Sequence, residues 1–195
     1  MPSRLRKLQL LLPALVAVLL VSGCGDSHSR VTTGTYAGEG GAGAPYLYVG
    51  PLIYEVQLSR ELNPANSEDA QYLKGLSAAQ SKLEPSQEWF AVFVQVYNNS
   101  SRAHTASDQL TLSDTQNNVY TPIVPSEVNP FIYRAGSVPA NNQLPLPGTI
   151  ADDDPAQGLV LLYKIQLASL DNRPIELKIV DPEDPSQTAS AELDV

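Results

Sequence analysis

The chain has 195 residues, with 12 Lys and Arg against 21 Asp and Glu, and a single Cys. That length suits one domain plus a tail, and one cysteine makes neither an internal disulfide nor, with two histidines, a Cys/His zinc site. A net charge of −9 argues against nucleic acid, whose phosphate backbone is held by clustered Lys and Arg, and favours a soluble, self-repelling monomer.

The chain opens with Arg4, Arg6 and Lys7, and from Leu10 to Val21 every residue is apolar or Pro13. Such a run is shorter than the span of about 20 residues that crosses a bilayer, but it suits the apolar core of a secretory signal. It ends in Val21-Ser22-Gly23-Cys24, which resembles the bacterial lipobox. Small side chains at Ser22 and Gly23 let the backbone lie extended in a protease cleft. The Cys24 thiol is the nucleophile that accepts a diacylglyceryl group. The resemblance implies cleavage between Gly23 and Cys24, loss of residues 1–23, and a chain held at the cell membrane on its extracytoplasmic face. Two acyl chains give stable anchoring where one is marginal, at about 0.8 kcal/mol per buried CH₂. Cleavage would leave 9 basic residues and a net charge of −12, so attachment falls to the lipid rather than to a basic patch.

Residues 24–45 are rich in Gly, Ser and Thr and read as a flexible tether, about 25 Å root-mean-square as a random coil. Gly38 to Gly43 formally fits G-x-G-x-x-G, but no strand precedes it and no helix follows, so a spacer is the better reading.

The folded part is expected over residues 46–195. Leu52, Tyr54, Val56 and Leu58 alternate onto one face of a strand. The stretch from Trp89 to Tyr97 puts Phe90, Val92, Val94 and Val96 on one side and Trp89, Phe93 and Tyr97 on the other, as in a strand covered on both faces. Ser67 to Lys74 is the one helix candidate, with Glu68 and Asp69 in its first turn and Gly75 to stop it. Leu110–Ser113 and Val119–Pro122 flank a polar loop and predict a hairpin, with Asp114 bonding local amides. Gly158 to Leu167 is a second buried strand. Ile175–Ile179 and Ala189–Val195 alternate cleanly and are expected to pair. About seven strands and one short helix make an all-β fold, an antiparallel β-sandwich of immunoglobulin-like type.

The strand W-F-A-V-F-V-Q-V-Y-N, the hairpin L-T-L-S-D-T-Q-N-N-V-Y-T-P, then G-L-V-L-L-Y-K-I, R-P-I-E-L-K-I-V and A-E-L-D-V follow one another in that order. This order is similar to that of the secreted immunoglobulin-like domains of unknown function carried by many high-GC Gram-positive lipoproteins. The resemblance implies fold and location and brings no catalytic residues with it.

No G-x-S-x-G, H-E-x-x-H, P-loop or C-x-x-C motif occurs. His104 is the one histidine of the folded part, and a Ser/His/Asp triad would have to use it. We therefore expect no enzyme and no cofactor. Asp152, Asp153 and Asp154 are the candidate calcium ligands, because three adjacent carboxylates repel, but the spacing is not that of a calcium loop and a solvated acidic loop without metal is the favoured reading. Phe131, Tyr133 and Arg134 are the candidate recognition surface, a residue mix enriched at binding hot spots, although packing over an open end of the sandwich is the favoured reading. The expected function is a lipid-anchored binding module with an envelope protein as partner, or else a solute- or calcium-binding accessory of the envelope.

Overall fold

The computed structural model describes residues 28–32, as backbone, and residues 46–193. Gly23, Cys24, the rest of 1–27, residues 33–45 and the last two residues lie outside the described residues.

Among the described residues, twelve strands follow in chain order. They are β1 (His28–Thr32), β2 (Tyr46–Val49), β3 (Leu52–Leu62), β4 (Gln87–Asn98), β5 (His104–Thr105) and β6 (Gln109–Ser113). Then come β7 (Val119–Tyr120), β8 (Ser137–Val138), β9 (Asn142–Leu144), β10 (Leu159–Gln166), β11 (Ile175–Val180) and β12 (Thr188–Leu193). One sheet has the order β1-β12-β11-β6-β7 and the other β10-β4-β3-β2, with β9 also on β4; β5 and β8 form a small separate ribbon. All pairings are antiparallel except that of β1 with β12. This is the antiparallel β-sandwich of immunoglobulin-like type that strand order predicts. β1 lies inside the 24–45 segment read as tether, where its five residues pair with Thr188–Glu192.

The first sheet is two-faced, as its alternation demands. Ile175, Leu177 and Ile179 are buried along β11, opposite Leu193, Ala191 and Ala189 of β12. The second sheet is buried on both faces where β4 crosses its centre, and Phe90 to Val94 are wholly inaccessible. Each of its Phe and Val side chains contributes roughly 1.5–3 kcal/mol by leaving water.

Hydrogen bonds between the sheets identify the inner face. Tyr163 donates to the Leu110 carbonyl at 3.3 Å, and the Ser107 amide donates to the Tyr54 hydroxyl at 2.7 Å. Tyr54, Val56, Phe90, Val92, Leu161 and Tyr163 therefore face the first sheet. Trp89, Ala91, Phe93, Val160 and Leu162 face outward, under the connections 63–86 and 121–133. Ile123 and Ile132 bridge to Leu162 and Val160 of β10, and Tyr72 packs edge-on against Phe93 at 5.1 Å.

Two expectations are corrected. Leu58 does not share a face with Leu52, Tyr54 and Val56, because a bulge shifts the register so that Val56 opposes Val94 and Leu58 opposes Phe93. The extra residue, Gln57, inverts the alternation from that point on. The helix expected over Ser67 to Lys74 is α1 (Ser67–Ala70), one turn capped by Asn66, and the chain then continues in turns to Gly75. A second turn, α2 (Ala78–Ser81), begins at a capping box between Ser77 and Gln80 that the sequence reading missed.

Candidate functional site

Cys24 and Gly23 lie outside the described residues. The other candidates are placed, and the structure separates most of them from any site.

The three aspartates at 152–154 do not converge. Asp152 accepts from the Gly148 amide at 2.9 Å and lies 3.4 Å from the Gln143 amide nitrogen, while Asp153 is exposed. Asp154 is buried and accepts from the Tyr72 hydroxyl at 2.8 Å and from the Ala156 amide at 2.9 Å. Among the described residues no three His, Cys, Asp or Glu side chains group so as to hold a metal ion. Asp152 and Asp154 instead brace separate stretches of the loop, as Asx turns do.

Phe131 and Tyr133 are buried, so the recognition-surface reading gives way to packing. Phe131 stands edge-on to Tyr72 at 5.3 Å, and Tyr133 donates to the Ser107 carbonyl at 2.7 Å. Arg134 donates to the carbonyls of Pro125 and Ser126 at 2.8 and 2.7 Å, tying down the loop that covers β10. His104 sits on β5 opposite Val138.

Asp114 closes its hairpin as expected, accepting from the amides of Gln116 and Asn118 at 2.9 and 3.0 Å. It also accepts from Ser169 at 2.6 Å, and Ser169 meets the Tyr120 hydroxyl at 2.6 Å, so the hairpin is pinned to the 3₁₀ turn that follows β10.

Among the described residues, two surface concavities bear on a binding role. One, of about 420 Å³, runs beside β6, with Leu110, Pro122 and Val124 as apolar walls and Asp108 and Lys178 among its polar lining. The other, of about 340 Å³, is formed by Tyr46, Tyr48, Ile53, Tyr97 and Asn99.

The second concavity is assembled by strand register. Tyr48 opposes Ile53, Ile53 opposes Tyr97, and Tyr97 opposes Gln143, a single row across β2, β3, β4 and β9. Beside it, Tyr46 opposes Glu55 and Glu55 opposes Gln95. Residues directly opposite one another share a face, and this is the outer face of the second sheet. Toward Trp89 and Phe93 that face is covered by the connections 63–86 and 121–133. Tyr46 and Tyr48 are 53% and 61% exposed, whereas Glu55 and Gln95, in the row of Tyr46, are 7% and 9% exposed. Tyr97 donates to Glu55 Oε2 at 2.8 Å and also contacts Gln95 Oε1. Burial, followed by the bond to Glu55 and its charge, raises the Tyr97 phenol far above its ordinary range, so it stays a donor. The result is a concavity of three tyrosines, Ile53 and Asn99, one of whose rings, Tyr97, is held by a buried carboxylate.

The sequence signal for this site is the alternation Tyr46-Leu47-Tyr48, which turns Leu47 inward and both tyrosines out. Tyr97 joins them only through pairing.

No protein-family model matches the chain, and no curated protein matches it in sequence. In fold it is similar to a Bacillus subtilis protein, YcdA, described as a "putative lipoprotein", with a TM-score of 0.50 and 9% identity over 78% of this chain. The match covers 39% of YcdA, so the chain spans about two fifths of that protein's length. It is also similar to the YjhA protein of Bacillus subtilis, with a TM-score of 0.51 and 14% identity over 77% of this chain and 97% of that one. A β-sandwich protein of Clostridium difficile aligns at a TM-score of 0.45 and 8% identity over 86% of this chain and 96% of that one. At these identities the likeness is one of architecture, and by architecture this chain, an antiparallel β-sandwich, is similar to the two Bacillus proteins.

Proposed function

We propose that the chain is a lipid-anchored, extracytoplasmic binding module without catalytic activity. The observation that carries this reading is the apolar run ending in Val21-Ser22-Gly23-Cys24, which holds the only cysteine of the chain. A fold similar to that of YcdA, described as a "putative lipoprotein", supports it. So does the charge: a body of net −12 after cleavage would be repelled by an anionic membrane, and a lipid on Cys24 supplies the attachment. The binding role rests on the concavity that Tyr46, Tyr48, Ile53, Tyr97 and Asn99 form on β2, β3 and β4, whose aromatic side chains can stack and hydrogen-bond. Anchoring is tested by fractionating cells that express the chain or its Cys24→Ser variant. The unaltered chain is expected in the detergent phase of the membrane fraction. An equal distribution of the two forms overturns the reading.

A further inference from the structure

We propose that β1 is a strap. It fixes the chain to the edge of the first sheet with only Gly25, Asp26 and Ser27 between it and Cys24, and so makes one pole of the sandwich the surface that faces the bilayer. The proposal rests on the lipid-anchor reading above, although the strap itself can be measured without the lipid.

Three observations carry it. The first is the fit of the strand. β1 pairs with β12 over its whole length, from His28 opposite Thr188 to Thr32 opposite Glu192. The register puts Ser29 and Val31 in the rows of Ala189 and Ala191, which are buried. His28, Arg30 and Thr32 fall in the rows of Thr188, Ser190 and Glu192, which are half-buried. The one apolar residue of β1 is thus in a core-side row, as a strand with one buried face requires. Without β1, β12 would be the edge of the first sheet, with backbone donors and acceptors left unpaired along it.

The second observation is reach. An extended chain advances at most about 3.6 Å per residue, so Cys24 lies within about 14 Å of His28. Were Tyr46 the first fixed residue, residues 24–45 could extend to roughly 80 Å, and the body would take any height and orientation above the bilayer. β1 removes most of that freedom.

The third observation is direction. His28, Thr188, Val180 and Gln109 form one cross-strand row, so β1 begins at the pole that carries the 181–187 turn. Gly50, in the β2–β3 turn, belongs to the same pole, since a Cβ there would come within 1.6 Å of the Asp181 carboxylate. Thr32, Glu192, Glu176 and Ser113 form the row at the other end, beyond which lies the hairpin loop 114–118. Even doubled back along β1, the four steps from His28 to Cys24 end level with Thr32, short of that hairpin. The lipid is therefore tied at the 181–187 pole. Glu183 and Asp184 are exposed there, so an anionic headgroup layer repels this pole and the strap holds it beside the bilayer rather than in it.

The test uses the full chain lipidated on Cys24, in phosphatidylcholine vesicles that carry a nitroxide on the headgroup. A fluorophore is attached to one introduced thiol, Glu183→Cys at the first pole or Gln116→Cys at the second, both exposed positions. The lipidated sulfur of Cys24 does not react. Quenching at Glu183→Cys is expected to be at least twofold stronger than at Gln116→Cys, and the difference is expected to vanish when residues 28–32 are replaced by Gly and Ser. Equal quenching at the two positions, or a difference that survives the replacement, overturns the proposal. Hydrogen exchange of the unaltered chain is a second measurement that needs neither vesicle nor replacement. The backbone amides of residues 28–32 are expected to exchange at least tenfold more slowly than those of an unstructured peptide, and exchange at the unstructured rate overturns the strap. Protection of 28–32 in a chain whose Cys24 carries no lipid upholds the strap and defeats the anchoring reading. A lipidated chain with 28–32 unprotected does the reverse.

Discussion

The Tyr72 hydroxyl donates to Asp154 Oδ1 across 2.8 Å, joining residues 82 positions apart. The same ring stands edge-on to Phe93 and Phe131, at 5.1 and 5.3 Å. One side chain from the 63–86 connection thus covers the outer face of β4 and fixes the acidic loop before β10. Aromatic pairs of this geometry contribute about 0.5–1.5 kcal/mol beyond area burial. The bond also explains why the aspartate run is not a cation cluster, since its buried member is already engaged by a phenol.

Tyr72→Phe keeps the ring packing and removes the donor to a buried carboxylate. It is expected to lower stability by about 1–3 kcal/mol, the cost of leaving such a group short of a partner. Denaturant unfolding measures it. A variant as stable as the original would show that the bond contributes nothing.

Asp114 gives the protein an acid-sensitive contact. Burial by itself raises its pKa, but hydrogen bonds from the Asn118 side chain, Ser169 and the amides of Asn118 and Gln116 prevail and hold it at about 2, below the ordinary 3.8. A carboxyl whose folded pKa is depressed contributes stability above its unfolded pKa and loses it as pH falls through the folded value. Asp114→Asn is therefore expected to cost about 1–2 kcal/mol at pH 7. The gap should close between about pH 4 and pH 2. A gap that ignores pH would contradict the assignment.

Glu88 has the opposite sign. Burial, then the charge and hydrogen bond of Glu61, raises its carboxyl from 4.5 to about 7, and its Oε1 is buried with no hydrogen-bond partner among the described residues. Its favourable contribution is complete below pH 4.5 and is lost as pH rises through about 7. Glu88→Gln, which keeps the shape without the charge, is expected to raise the melting temperature at pH 8 by about 2–6 °C. At pH 5 the two proteins should melt alike. A variant destabilised at pH 8 would show that the carboxylate is better satisfied than its surroundings indicate.

Much of the sandwich is written in local alternation. β4 reads as a strand buried on both faces because both phases of Trp89–Tyr97 are apolar, and the structure covers both. The pairing of β11 with β12 follows from two clean alternations, and Ile175 does oppose Leu193. What escaped depends on partners distant in sequence. The bulge at Gln57 carries no local mark, so Leu58 was assigned to the wrong face. Phe131 and Tyr133 combine with Arg134 in a composition that suits a binding surface, and only the tertiary fold buries the two aromatic rings. The tyrosine surface is the converse case. Its members come from three strands and are neighbours only in register, so no window of sequence contains them together.

The central claim is that Cys24 is the attachment point. Intact-mass and peptide mass spectrometry of the protein extracted from its own membrane tests it most directly. The account expects a mature chain that begins at Cys24, lacks residues 1–23 and carries a diacylglyceryl group on the cysteine sulfur. An unmodified Cys24, or a mature chain beginning elsewhere, would contradict it.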